Sequence, residues 1–430
     1  MATVSLSSLT HFLKGQFAPG QPQEEVIQAT ASPLYQLMPK NTQLGGEYLK
    51  VPVTYGLLMG STTFTTAQSN SGTMAAKAFK VDVDGATPHD YTTVDIAGQV
   101  FRSANIDKFA FFKQITGHIN AAIRTQARRR AMMVYRTSVG TIGTIHASTT
   151  LASTTLLLAQ RGEGRLIEAG NKLSFQDYSS SWDLLDSGEA LTVSAIDRSA
   201  DPVSLTVSAN VSTISGVATG DGIIFEGDND GWPTGLLSWL PSTAPTSGDS
   251  FHGVDRSADP VRLAGHRLNC TGKDVLSGLI EGIHLLGEEG NMNLAAFVTP
   301  EAFHALVELI RASTTYEAKT VSTPARVMPS ENNPSGVSQK VSVKGLLIDG
   351  PDGTVTVYRD LFCPATYGFI GEIDRFTLYS MGVDPGILEE DGNMVLRKAT
   401  ADSYEVRVGG YPQVVCDGPG RWMNLYNYAP

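Results

Sequence analysis

Cysteine is among the scarcest residues of this 430-residue chain. It occurs three times, at Cys270, Cys363 and Cys416. The number is odd and no CxxC spacing is present, which excludes a disulfide framework and the common zinc-site patterns. We therefore expect three buried thiols that act as small apolar side chains in a reducing compartment.

Long hydrophobic runs are also missing. No stretch approaches the roughly 18 apolar residues that a membrane span needs, and the start, MATVSLSSLTH, lacks the basic and apolar regions of a secretory signal. We expect a protein that is made and used in a cytoplasm and has no membrane partner. Apolar residues still make up 41% of the chain, enough for a sizeable core.

Catalytic motifs are absent as well. The chain has no GxSxG, Walker loop, HExxH or dinucleotide fingerprint in a strand–turn–helix context. Its eight histidines are scattered, and GDNDG at 227–231 lacks the ligand spacing of an EF-hand. The sequence thus predicts no catalytic residues, no cofactor-binding residues and no metal ligands, and a protein that is not an enzyme.

Basic residues are in short supply, with 32 Lys and Arg against 43 Asp and Glu and a net charge of −11. That balance disfavours a nucleic-acid binder. One dense basic cluster stands out on a predicted helix. It either contacts acidic neighbours or DNA phosphate, or is simply a solvated face of the helix. We name this set the helix arginines: Arg124, Arg128, Arg129, Arg130 and Arg136.

The first third of the chain divides into three predicted parts. Residues 1–45 form an irregular arm, and residues 46–104 form a long hairpin with a polar tip plus a further strand, because apolar residues alternate in YLKVPVTYG and FKVDVDG. Residues 105–139 form one long helix, about 45 Å in length, with no proline before Thr137.

The remainder is predicted as an all-β insertion and an α+β body. Residues 140–232 carry short alternating strands between Ser, Asp and Gly turns, typical of a small sandwich or barrel. Residues 233–430 mix strands with two amphipathic helices, one capped by Thr299 ahead of Pro300, and a hairpin around Gly350–Gly353. IDRSADPVSL (196–205) and VDRSADPVRL (254–263) predict two similar Asp-containing turns.

The order of these parts resembles the HK97-like fold of tailed-bacteriophage major capsid proteins. Four strings add to the resemblance: FKVDVDGATPHDYTTVDI (79–96), GWPTGLLSWLP (231–241), GVDRSADPVRLAGHRL (253–268) and VGGYPQVVCDGPG (408–420). The resemblance implies an α+β fold with an N-arm, an E-loop hairpin, a spine helix, a P domain and an A domain, here with an inserted small all-β domain. A fused scaffold region and a matched pair of cross-linking residues are not recognised.

The resemblance also implies the function. We expect a self-assembling subunit of an icosahedral virion shell, arranged as pentamers and hexamers around double-stranded DNA, with portal and scaffold or decoration proteins as further partners. An encapsulin-type shell shares the fold and remains an alternative, and an unrecognised hydrolase is a third. We further expect an unprocessed chain, contacts between subunits through the arm and hairpin, and a separable β domain on the outer surface, since residues 140–232 hold more than twice as many acidic as basic residues.

Overall fold

A computed structural model describes residues 3–4, 32–56, 63–69, 76–82, 89–97, 108–179, 182–288, 290, 293–312, 319–323, 343–350, 353–389, 395–398 and 400–428. Most of the predicted arm and most of the hairpin tip lie outside these residues. The α-helices are α1 (Pro33–Leu37), α2 (Phe64–Ser69), α3 (Lys108–Tyr135), α4 (Leu236–Trp239), α5 (Val275–Gly287) and α6 (Pro300–Ala312).

Strands make up most of the remaining regular structure. In chain order they are β1 (Thr3–Val4), β2 (Lys40–Asn41), β3 (Tyr48–Thr54), β4 (Ala76–Asp82), β5 (Asp90–Ala97), β6 (Gly143–Thr144), β7 (Thr155–Leu157), β8 (Lys172–Asp177), β9 (Asp183–Leu184), β10 (Leu191–Asp197), β11 (Ser204–Val207), β12 (Gly222–Phe225), β13 (Ser250–Phe251), β14 (Val254–Asp255), β15 (His266–Asn269), β16 (Asn293–Val298), β17 (Lys319–Thr323), β18 (Val343–Gly350), β19 (Gly353–Arg359), β20 (Tyr367–Gly371), β21 (Phe376–Ser380), β22 (Gly386–Ile387), β23 (Leu396–Arg397), β24 (Ser403–Gly410), β25 (Pro412–Cys416) and β26 (Trp422–Tyr426).

The predicted hairpin is present as the antiparallel pair β3 and β4, whose register runs from Tyr48 opposite Asp82 to Thr54 opposite Ala76. Alternate residues point inward, and Phe79 is fully buried against the rings of Trp239 and Phe251. The described strands of the hairpin therefore pack on the rest of their own chain. Contact of the arm and the hairpin with a neighbouring subunit stays a prediction.

The long helix α3 has 28 residues and spans about 42 Å. Gly235 packs against its C-terminal end, where its N–H donates to the carbonyl of Arg136 and its bare Cα lies against the carbonyls of Met133 and Val134. Any side chain at position 235 would clash with these carbonyl oxygens. The helix packs Ala122, with Ile119 and Ile123 beside it, on a five-stranded sheet ordered β1-β5-β24-β22, to which β23 adds on β24.

The segment after α3 forms a barrel. Its strands pair in the order β6-β12-β8-β10-β11-β7, all antiparallel, and a bridge between Ile145 and Leu158 joins the two ends of this order. Closure removes the open sheet edges that would otherwise offer unpaired backbone groups to another chain. The buried barrel residues, Phe175 among them, belong to the same continuous core as Trp239 and Phe297 of the body.

A mixed seven-stranded sheet, ordered β15-β26-β20-β16-β19-β18-β17, forms the centre of the body. Strand β16 shows the period of two. Leu294, Ala296 and Val298 belong to the core beneath α5 and α6, whereas Ala295 and Phe297 belong to the core shared with the barrel. A three-stranded sheet, β2-β21-β25, ties residues just after α1 to the end of the chain.

Asp274 is the N-cap of α5 and accepts from Ser277 N, while the N–H and hydroxyl of Thr271 donate to the side chain of Asn269. The two similar strings do form similar Asp turns, because Asp197 accepts from Ser199 N and Asp255 from Ser257 N, each at 2.9 Å.

Candidate functional site

The helix arginines do not share one surface. Arg130, in the second half of α3, has no exposed side-chain area. Its guanidinium donates to both carboxylate oxygens of Asp384 at 2.8–2.9 Å, to Asp90 at 3.0 Å and to the carbonyl of Gly410 at 3.3 Å. Asp384 is itself buried, so this is an ion pair wholly removed from solvent.

Arg129 extends the same cluster. Its guanidinium donates to Asp90 and to Asp228, each at 2.8 Å. Although burial opposes the charge, the two carboxylates raise the pKa of Arg129 above its usual value. Burial also raises the pKa of Asp228, against the opposing effect of Arg129.

Together these five side chains form what we name the arginine anchor: Arg129, Arg130, Asp90, Asp228 and Asp384. The anchor joins the long helix to strand β5, to the segment that leaves the barrel, and to the loop before β22. Two glycines make room for it: a Cβ at Gly410 would overlap the Asp384 carboxylate, and one at Gly409 would overlap the carbonyl of Asp90. The double glycine of the VGGYP string is therefore a packing requirement.

Arg128 and Arg124 face the barrel side of α3. Arg128 donates to Glu168 at 3.0 Å and to the carbonyl of Arg165. Arg124 is exposed, and both line a groove of about 690 Å³ between the helix and the barrel, to which Lys172 and Glu226 also contribute. Of the helix arginines, Arg124 is thus the one that is both exposed and outside the anchor.

Arg136, just past the end of α3, faces Glu163 of the barrel. Burial lowers the pKa of Arg136, and its Nε is buried without a hydrogen-bond partner among the described residues. Burial raises the pKa of Glu163 to about 7, although Arg136 and the N–H groups of Gln160 and Thr144 counteract it. Those two N–H groups donate to the Glu163 carboxylate at 3.2 and 3.3 Å.

The role first considered for the helix arginines, contact with a neighbouring subunit or with DNA, stays a prediction. Within the subunit, Arg128, Arg129 and Arg130 already have carboxylate partners. Sequence spacing could not reveal this, because Asp228 and Asp384 lie 99 and 254 residues away from their arginines.

Sequence reasoning also missed Asp360, which is fully buried. It accepts from the hydroxyl of Ser32 at 2.6 Å, the hydroxyl of Tyr135 at 2.8 Å and the N–H groups of Leu34 and Phe362. Burial raises its pKa, and these four donors oppose the rise. Asp360 thereby fastens the start of α1 to the end of α3. A single aspartate after a strand does not indicate in the sequence that it is buried or that it joins two distant helices.

The remaining features of the described part of the chain concern metal-binding side chains, disulfides, membrane-spanning helices and exposed apolar residues. No group of three His, Cys, Asp or Glu side chains is placed to hold a metal ion there, and the three cysteines are buried and unbonded. No described helix is both long and apolar enough to cross a membrane. Large exposed apolar side chains do occur, foremost Phe64 on α2, between the hairpin strands, which is 82% exposed.

The described part of the chain thus combines a hairpin, a long helix, a mixed sheet and a barrel. The chain is similar to a chain of the cyanophage A-1(L) capsid asymmetric unit, with 10% identity and a TM-score of 0.52, over 99% of this chain and 100% of that one. It therefore has the fold of a phage capsid subunit along nearly its whole length, as the resemblance implied.

Two further similarities have lower scores. The capsid of the native GTA particle matches at 10% identity and a TM-score of 0.43, over 100% of both chains. The holo-SrpI encapsulin complex from Synechococcus elongatus PCC 7942 matches at 9% identity and a TM-score of 0.42, over 100% of this chain and 99% of that one. Scores this low add nothing to the fold assignment. No family model matches the chain, and no curated protein matches it.

Proposed function

We propose that this chain is the major capsid protein of a tailed bacteriophage, a structural subunit that assembles with itself into the icosahedral shell of the virion. The observation that carries the proposal is the capsid fold, in which this chain matches the cyanophage capsid chain over 99% of its length. A shell subunit needs extended contact surfaces and no active site, which agrees with the lack of catalytic motifs in the sequence.

The proposal assigns a role to each part of the fold. Residues 1–45 are the N-arm, strands β3 and β4 with the tip between them are the E-loop, and α3 is the spine helix. The five-stranded sheet under α3 belongs to the P domain, and the seven-stranded sheet with α5 and α6 belongs to the A domain. The barrel is an insertion into this plan, and the arginine anchor holds it, the spine helix and the P-domain sheet together.

The partners follow from the same proposal. The first is the chain itself, in pentamers and hexamers, and the others are a portal, scaffold or decoration proteins, and packaged DNA through weak non-specific contacts. Assembly would take place in the host bacterial cytoplasm. The net charge of −11 suits a wall that encloses DNA without binding it tightly.

Electron microscopy of the purified chain and of two hairpin variants tests this function. We expect the unaltered chain to form closed shells. Phe64→Ala should stay folded but form fewer shells, because an 82% exposed ring on a polar tip contributes little to its own subunit and can bury its apolar area on a neighbour. The control is Thr65→Ala, an exposed neighbour on α2, which should assemble like the unaltered chain.

The outcomes separate the alternatives. Absence of shells under every assembly condition would contradict a capsid protein, and shells isolated with a protein cargo inside would favour an encapsulin. Normal shells from Phe64→Ala would disprove the role of the hairpin tip and leave the shell function standing.

A further inference from the structure

Three arginines meet where the barrel touches the body. Arg165 belongs to the barrel's short helical turn Arg161–Arg165 and forms an ion pair with Glu301, in the first turn of α6. Arg359 ends strand β19 directly opposite Val298, two residues before α6 begins. A Cβ placed on Gly162 would lie 3.9 Å from the Cβ of Ala365. The turn therefore packs against the loop that follows β19.

These arginines carry more positive charge than the local carboxylate can neutralise. Arg161 and Arg359 are exposed, and the side chain of neither makes a hydrogen bond or an ion pair with a described residue. Burial, then the like charges of Arg359 and Arg161, lower the pKa of Arg165. The first turn of α6 adds the partial positive charge of a helix N-terminus. We name Arg161, Arg165 and Arg359 the junction patch.

The same chain carries a matching acidic stretch. Between Lys172 and Arg198 there is no lysine, arginine or histidine, whereas five acidic residues occur: Asp177, Asp183, Asp186, Glu189 and Asp197. Asp183 and Glu189 are exposed, and both flank the short turn that follows β9. A subunit that repeats many times in a shell thus offers a surface of each sign on every copy.

We propose that the junction patch binds carboxylates of the acidic stretch on the barrel of a second copy of this chain, making the barrel a contact between subunits. The proposal rests on the shell function proposed above. Arg165 already holds one carboxylate, that of Glu301, so the patch has the geometry for this class of ligand. Exposed guanidinium groups beside it can take further carboxylates from outside.

DNA phosphate is the other ligand that guanidinium groups take. The structure favours a protein partner, because Glu301 lies within the patch and the barrel around it holds twelve acidic residues against four basic ones between 140 and 232. A long phosphate backbone would pass close to these carboxylates and be repelled. A short loop that carries carboxylates can contact the arginines without passing close to the surrounding acidic side chains.

Charge reversal and its rescue test the contact. Arg161→Glu with Arg359→Glu should lower the yield of shells about tenfold, while circular dichroism shows a folded chain. Adding Asp183→Arg and Glu189→Arg to the same chain restores opposite charges and should recover most of the yield. The recovered shells, like those of the unaltered chain, should dissociate as salt rises.

A matched control and two outcomes decide the matter. Arg397→Glu reverses an exposed arginine of the five-stranded sheet and should assemble normally. The proposal would be overturned if Arg397→Glu lowered the yield of shells equally, or if the variant with all four charge reversals did not recover that yield. So would shells that form normally from the double variant but package less DNA, since that result assigns the patch to phosphate. Failure of the unaltered chain to form shells would instead count against the function itself.

Discussion

Arg130 illustrates how much a single residue of this fold depends on distant ones. Its guanidinium is wholly buried, and the two carboxylates that neutralise it come from strand β5 and from the loop before β22. Removing one partner of a buried pair leaves an uncompensated charge, which costs far more than the pair itself contributes. The arginine anchor is therefore a point where small substitutions should have large effects.

We predict that Arg130→Ala lowers the free energy of unfolding by about 3–5 kcal/mol, because Asp384 and Asp90 are then buried without their shared cation. Denaturant unfolding of the subunit measures this. Arg124→Ala on the exposed side of the same helix is the control and should change stability by less than about 0.5 kcal/mol. Equal effects of the two substitutions would show that the anchor adds no stability.

Glu163 gives the subunit a defined pH dependence. Burial raises its pKa from 4.5 to about 7, so the folded state holds this proton between those values while the unfolded state does not. Stability should therefore fall as pH rises from about 4.5 to about 7, by about 3 kcal/mol from this group. Below that window Glu163 is protonated in both the folded and the unfolded state, so it no longer makes stability depend on pH.

Glu163→Gln should flatten this part of the pH profile and make the subunit more stable than the unaltered chain at pH 8. Unfolding free energies measured from pH 4 to pH 8 check it. Glu189→Gln, on the exposed side of the same barrel, serves as the control and should leave the profile unchanged. A Glu163→Gln profile with the slope of the unaltered chain would contradict the assignment.

At the scale of elements, the barrel combines two properties that a sequence pattern does not separate. Its strands close on themselves, which is typical of an independent module, yet its interior is continuous with the core of the body. The chain enters at β6 and leaves at β12, and these two strands are paired, with Thr144 opposite Gly222. Entry and exit are therefore only about 5 Å apart.

That proximity predicts that the barrel can be excised. Replacing 145–221 with a two-residue Asn-Gly turn between Thr144 and Gly222 should give a soluble subunit that keeps the circular dichroism of α3. The longer replacement of 145–228 also removes Asp228, so Arg129 loses a carboxylate and the product should be less stable. Insolubility of the shorter excision would show that the barrel is part of the core.

Across the whole molecule, the acidic charge is unevenly distributed. Two cations of the barrel lie at its contacts with the body, Arg165 beside Glu301 and Lys172 at the groove beneath α3. The intervening stretch from Asp177 to Asp197 is acidic throughout its charged residues. A separable barrel on the outer surface stays a prediction, and the proposed contact with a second copy gives this acidic stretch a ligand.

The fold of this chain is shared with the cyanophage capsid chain at 10% identity. Such similarity depends on patterns of apolar and polar residues rather than on particular side chains, since a core tolerates exchange among residues of suitable size. Strings such as VGGYP are the exception. There, Gly409 and Gly410 are required because the backbone passes directly over Asp90 and Asp384.

The sequence by itself determined the elements whose signals are local. Alternation in β3 and β4, the long run without proline in α3, the Thr299 cap of α6 and the antiparallel pairing of β18 with β19 all appear where the pattern predicted them. Each of these depends on residues a few positions apart, so the information is complete within a short window.

Only the tertiary structure decided what the charged residues do. The helix arginines looked like a surface cluster, yet Arg129 and Arg130 are neutralised by aspartates up to 254 residues away. Barrel closure between Ile145 and Leu158 and the four donors around Asp360 are equally invisible in a linear pattern. The reason is physical: a buried charge is stabilised by whichever groups packing brings within hydrogen-bond distance, and packing is a property of the folded chain.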